Sequence, residues 1–139
     1  MSVGRIATRT LATAGRAESV VEAARRIADT DAGCVVVCLN GAAVGILTER
    51  DIVTRVVARG LDPATTDIAE VMTPRPRSID ESASAGAALE AMDRAGVRRL
   101  VVTADGGGLL GVVRREDLVV AREPVEVGPT RYLMEESSP

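Results

Sequence analysis

Residues 45–51 read GILTERD and residues 111–117 read GVVRRED, so Asp51 and Asp117 stand at one offset behind a glycine, with Thr48 in the first run and Arg114 in the second. Thr followed three residues later by Asp is a helix-start pattern, in which the hydroxyl caps a free backbone N–H and the acid meets the positive end of the helix dipole. The same groups can also hold a ligand, because free N–H donors attract an anion and a carboxylate accepts hydroxyl protons. The chain is also rich in Arg, whose planar fork suits phosphate. All 17 basic residues are Arg, which reads first as a compositional bias. Cys34 and Cys38 share a face of the run CVVVCL, yet the chain has no histidine and no further cysteine. A tetrahedral zinc site would need ligands from elsewhere, so both are expected to be buried thiols of a core strand, and no metal site is expected. No catalytic residues are expected either: there is no activated cysteine arrangement and no glycine-rich phosphate loop before a helix. The GGG at 106–108 reads as a flexible hairpin turn.

The elements that position these residues follow from an internal repeat. Residues 19–31 form an amphipathic helix with Val20, Ala23, Ala24 and Ile27 on one face, opened by a capping box of Ser19 and Glu22. Sixty-five positions on, residues 84–96 repeat that face with Ala85, Ala88, Leu89 and Met92. Each helix is followed by a β-branched run, a turn (NGAA or ADGGG), a second run and a second helix. These last helices, residues 49–60 and 115–123, are expected to stop at Gly60 and Pro124. One extra residue in the second hairpin loop shifts the repeat from 65 to 66. Pro74 and Pro76 favour an extended strand entering the second copy, where the chain crosses between halves. The expected organisation is a first repeat at 1–62, a linker at 63–72 with a short helix over 67–72, a second repeat at 73–122 and a tail at 123–139 whose last residues, EESSP, read as disordered. Neither half is large enough to fold alone, so the sheets should pack face to face as one pseudo-twofold α+β unit with two equivalent clefts.

Composition sets outer bounds. With 139 residues, 46% hydrophobic and 27% charged, the chain can bury a core. No apolar run reaches membrane-spanning or signal-peptide length, so no membrane contact and a cytoplasmic location are the expectation. Residues 1–66 carry eight Arg against seven acids, residues 67–122 eight against nine, and the tail one against four. Neither half has the basic excess of a nucleic-acid binder, and one Tyr with no Trp or Phe gives no stacking platform.

Two tandem copies of entering strand, helix, hairpin ending in Gly-apolar-apolar, and helix with Asp in its first turn resemble the cystathionine-beta-synthase (CBS) domain pair, or Bateman module, over residues 6–122. The resemblance implies a stand-alone regulatory module without catalytic activity, binding an adenosine-containing ligand (AMP, ADP, ATP or S-adenosylmethionine) between the repeats and signalling to a partner protein. It implies that Thr48 and Asp51 grip the ribose, with Ile46 against the base. Arg75, Pro76 and Arg77, mostly through backbone groups, and Val97 on the second strand would form the opposite wall, and Arg99, assisted by Arg98, would meet phosphate. A ribose offers two adjacent hydroxyls, and one carboxylate accepts from both. In the second copy Arg114 replaces the hydroxyl residue, so that Arg114 and Asp117 make a weaker site or a plugged one, faced by Leu11, Ala12, Ala32, Cys34 and Arg9. A ligand-free interaction domain is the alternative function. The family also implies a homodimer, expected through the apolar faces of Ile52, Val53, Val56, Val57, Leu118 and Val119.

Overall fold

The computed structural model describes residues 1–9 and 11–122. In chain order the elements are α1 (Val3–Ile6), β1 (Ala12–Ala14), α2 (Val20–Ala28), β2 (Cys34–Leu39), β3 (Ala42–Thr48), α3 (Glu49–Ile52), a π-helical turn (Val53–Val57), α4 (Ile68–Val71), β4 (Thr73–Pro74), β5 (Ser78–Asp80), α5 (Ala85–Ala95), β6 (Arg99–Thr103), β7 (Leu109–Arg114) and α6 (Arg115–Arg122). This is a mixed α+β fold of two tandem repeats, as the sequence pattern predicts. The expected stop of α6 at Pro124 and the disorder expected of the tail fall outside the described residues.

Serine caps start both long helices. Ser19 Oγ accepts from the Glu22 N–H at 3.3 Å, and Ser84 Oγ from the Ala87 N–H at 3.0 Å. The expected capping box at Ser19 is only half formed, because the Glu22 carboxylate turns instead to Arg25 and Arg26, 3.7 and 3.6 Å away. The first hairpin turns tightly on Asn40 and Gly41, both at positive φ (52° and 81°), so β3 begins at Ala42 inside the stretch expected to be turn.

The first sheet has the order β1-β2-β3-β4 and the second β5-β6-β7. In β2 the side chains alternate between two buried environments: Val35 and Val37 join the first repeat's helical core, while Cys34 and Val36 pack with Val112 between the sheets. In β6, Leu100 and Val102 join the second core.

The leading segments are exchanged between the repeats. Val3 of α1 is fully buried in the second repeat's core, and Ile68 of α4 is fully buried in the first repeat's. Thr8 bridges to Val112 in the second sheet, while Thr73 and Pro74 pair with Ile46 and Gly45 in the first. The stretch expected as a linker helix is therefore the counterpart of α1, sixty-five residues on. This exchange explains the recurrent glycine. A Cβ on Gly111 would stand 2.6 Å from the Thr8 carbonyl oxygen, and one on Gly45 would run into the Met72 sulfur.

After α3 the backbone widens into the π turn, closed by the Ala58 N–H to Val53 carbonyl bond at 2.9 Å. Thr54 Oγ1 donates back to the Arg50 carbonyl at 2.8 Å, a competing bond that loosens helical geometry. Gly60, at φ 70°, ends the segment: its N–H bonds to Val57 and the Leu61 N–H to Val56, the left-handed cap expected there. Two of the six residues expected on an association surface are not on the surface: Val56 and Leu118 are fully buried, one in each core. Ile52 packs against the first core, which leaves Val53, Val57 and Val119 exposed. Among the described residues no helix is long and apolar enough to cross a membrane.

Candidate ligand-binding cleft

Strand β3 ends on Thr48, whose Oγ1 accepts from the Asp51 N–H at 3.1 Å while Asp51 Oδ2 accepts from the Thr48 N–H at 2.9 Å. This reciprocal box satisfies two donors at the start of α3 and fixes the carboxylate without any ligand. Arg55, one turn on, approaches Asp51 Oδ1 at 3.6 Å, and its own Nη1 is anchored on the Val71 carbonyl (2.9 Å) and Thr73 Oγ1 (3.1 Å). Asp51 is thereby held at 9% exposure, a buried charge whose cost is offset by two kinds of partner.

That carboxylate lies in the wall of a cleft of about 1120 Å³ between the repeats. Ile46, Thr48 and Asp51 line it from the first repeat, and Arg75, Pro76, Arg77, Val97, Arg98 and Arg99 from the second, so the fold brings all nine sequence-selected residues together. Val97 does not lie on a strand as expected; it follows Gly96, whose left-handed conformation (φ 69°) ends α5 before β6 begins. Arg75 holds a positive φ of 50° between two prolines, with its N–H bonded to the Val44 carbonyl at 3.1 Å. This is an uncommon backbone state for a residue with a side chain. Arg99 Nε donates to the Ala32 carbonyl of the first repeat at 3.4 Å, leaving the guanidinium at the cleft wall.

Sequence reasoning missed Arg50, Thr73, Pro74, Ser78, Gly96 and Val101 in the lining, and Arg55 behind it. Two signals were present. Val101 follows Arg99 by two along a strand and so shares its face. Arg55 follows Asp51 by four along a helix.

The equivalent positions of the second repeat differ in their chemistry. Arg114 Nε donates to Asp117 Oδ2 at 3.0 Å and Nη2 to Oδ1 at 3.1 Å, a two-point fork, while Nη1 reaches the Asp31 carbonyl at 3.3 Å. The fork on Asp117 raises the Arg114 pKa above its usual value. Of the residues expected to face them, Leu11, Ala32 and Cys34 contribute to the apolar layer between the sheets, Ala12 is taken up by the first core, and Arg9 donates to the Gly4 carbonyl at 2.6 Å. Burial pushes the Cys34 thiol up, and both cysteines are free, with Cys34 buried and Cys38 half-buried. Among the described residues no group of three or more His, Cys, Asp or Glu side chains is placed to hold a metal ion.

Comparison with known proteins identifies the fold. The chain is 32% identical over 120 residues to an uncharacterized protein of Methanopyrus kandleri, an alignment that covers 86% of this chain and 61% of that one's length. Its fold superimposes on a protein with CBS domains from Burkholderia ambifaria at a TM-score of 0.81, with 28% identity, 92% of this chain and 98% of the other covered. A CBS domain protein from Pyrobaculum aerophilum, complexed with AMP, matches at a TM-score of 0.76 with 24% identity over 84% of this chain and 89% of the other, a likeness of fold alone. The family model of the CBS domain matches twice, at residues 3–58 and 68–123, and the chain belongs to the CBS-domain family as a tandem pair.

Proposed function

We propose that this CBS pair is a regulatory module that binds an adenosine-containing ligand in the Asp51 cleft and passes its occupancy to a partner protein. The observation that carries the reading is the convergence of all nine residues, drawn from both repeats, on one cleft of a size that suits a nucleotide. In this reading Asp51 Oδ1 accepts from the two ribose hydroxyls, Thr48 donates its hydroxyl proton, Ile46 and Val97 enclose the base, and Arg98 and Arg99 meet phosphate. The AMP complex of the Pyrobaculum protein supports only the capacity of the fold.

A second reading, a ligand-free interaction domain, is favoured by one observation: the Thr48–Asp51 box and the Arg114–Asp117 fork are complete without a ligand. Calorimetric titration with AMP, ADP, ATP, S-adenosylmethionine and NAD separates the two. The regulatory reading expects at least one to bind with one ligand per chain, and it is abandoned if all five are silent at millimolar concentration. Arg114→Thr should strengthen or create a second site and move the stoichiometry toward two, because it frees both oxygens of Asp117 and restores the hydroxyl. An unchanged stoichiometry would count against Arg114 as the group that closes that cleft.

Association belongs to the same proposal. Val53 and Val57, 58% and 64% exposed, stand four apart on the π turn and present an apolar pair to solvent. We expect a homodimer joined through this face with Val119. Light scattering at tens of micromolar should return twice the chain mass, and the double substitution Val53→Asp, Val57→Asp should return the single mass; a monomeric parent protein would rule the interface out.

A further inference from the structure

Positive charge is concentrated in and beside the cleft. Among the described residues five arginines (Arg50, Arg75, Arg77, Arg98 and Arg99) line the cleft and Asp51 is its one carboxylate, already faced by Arg55. None of the five enters an ion pair among the described residues. Clustered guanidinium groups repel one another and raise the local potential, which favours an anion of matching charge and disfavours a cation. A monophosphate carries at most two negative charges, fewer than the five forks supply.

The excess continues sideways. A smaller pocket of about 240 Å³ opens between β5 and α5, lined by Arg77, Ser78, Ala91, Arg94, Ala95 and Leu100. Arg77 and Ser78 belong to both pockets, so the two cavities share a wall. Arg94 lies in the last turn of α5, where a cation also offsets the helix dipole, but it enters no ion pair among the described residues. A guanidinium and a hydroxyl beside an apolar floor at Ala91 and Leu100 offer donors for phosphate oxygens and no acceptor charge of their own.

We propose that Arg77, Ser78 and Arg94 form a second anion subsite continuous with the cleft, selecting an adenosine ligand with two or more phosphates over its monophosphate and over a cationic sulfonium ligand. The inference rests on the reading of the cleft as an adenosine site. In this arrangement the ribose is held at Asp51, the first phosphate meets Arg98 and Arg99, and the remainder of the phosphate chain crosses Arg77 toward Arg94.

Calorimetry of the full chain and of Arg94→Ala, without divalent cations and at low and raised salt, tests it with adenosine, AMP, ADP, ATP, S-adenosylmethionine and inorganic tripolyphosphate. The expected order is ATP above ADP above AMP above adenosine, with ATP at least about ten-fold tighter than AMP at low salt and the gap shrinking as salt rises. Arg94→Ala should weaken ATP and tripolyphosphate about five-fold and leave AMP unchanged. Equal affinity for AMP and ATP, equal loss of both in Arg94→Ala, or S-adenosylmethionine binding as tightly as ATP overturns the subsite while the adenosine reading stands. Tripolyphosphate binding that depends on Arg94, with every adenosine ligand silent, supports the anion subsite and overturns the adenosine reading. Silence of all six ligands overturns both.

Discussion

On the proposed reading, replacing Asp51 with alanine should lower affinity for an adenosine ligand by about 1.5–3 kcal/mol, roughly ten-fold to more than a hundred-fold, because charge-assisted hydrogen bonds to both ribose hydroxyls would be lost. The same substitution destabilises the protein, since Asp51 Oδ2 also accepts the Thr48 N–H that would otherwise be orphaned at the start of α3. A cap of this kind is worth about 1 kcal/mol. The two effects separate in Asp51→Asn. An amide oxygen can still accept from Thr48, so thermal stability should stay close to that of the parent, while the charge proposed to strengthen a ribose contact is gone. Calorimetry then reads affinity and thermal unfolding followed by circular dichroism reads the cap. If Asp51→Asn binds as the parent does, Asp51 is a structural cap and nothing more. If binding is lost instead in Asp117→Ala, the ligand occupies the other cleft and Arg114 is one of its contacts.

The two readings of Asp51 show where sequence was informative and where it was not. TERD carries a helix-start pattern and a proposed ligand grip in the same letters; the fold realises the first with two hydrogen bonds, and the proposed second would fall to the other carboxylate oxygen and the Thr48 hydroxyl proton. The repeat, the helix–hairpin–helix order and the nine converging residues were readable because each rests on a period, an offset or a motif that extends over many residues. Four-residue helices carry no such period, so α1 was not seen and α4 was taken for linker, and with them went the exchange of leading segments. Solvent exposure within a helix was misjudged for a related reason. Residues 52–57 and 118–119 are apolar on more than one face, and only the tertiary packing shows that Val56 and Leu118 turn into the cores while Val53 and Val57 do not. At Arg114 the sequence left open a plug or a phosphate contact; the fork to Asp117 shows the guanidinium engaged within its own repeat while one nitrogen reaches the other.

The exchange predicts that the two repeats cannot unfold separately. Ile68 lies within the second family match but is fully buried among Val20, Val35, Leu47 and Val56 of the first repeat. Ile68→Ala removes those contacts from a closed site and should cost about 2–5 kcal/mol, lowering the melting temperature by roughly 8–20 °C for a chain of this size. The mirror contact is tested by Gly111→Ala, whose new Cβ would meet the Thr8 carbonyl oxygen at 2.6 Å. That neighbour is backbone, so the leading segment must shift away from the second sheet, at a cost of about 1–3 kcal/mol. Each substitution should displace one cooperative transition as a whole, since each core contains a helix supplied by the other repeat's leading segment. Circular dichroism suits the measurement, because the chain has no Trp and a single Tyr. A biphasic melt in which Ile68→Ala moves only one step would show that the repeats hold together by surface contact alone, and the exchanged helices would then have no role in the integrity of the cleft between them.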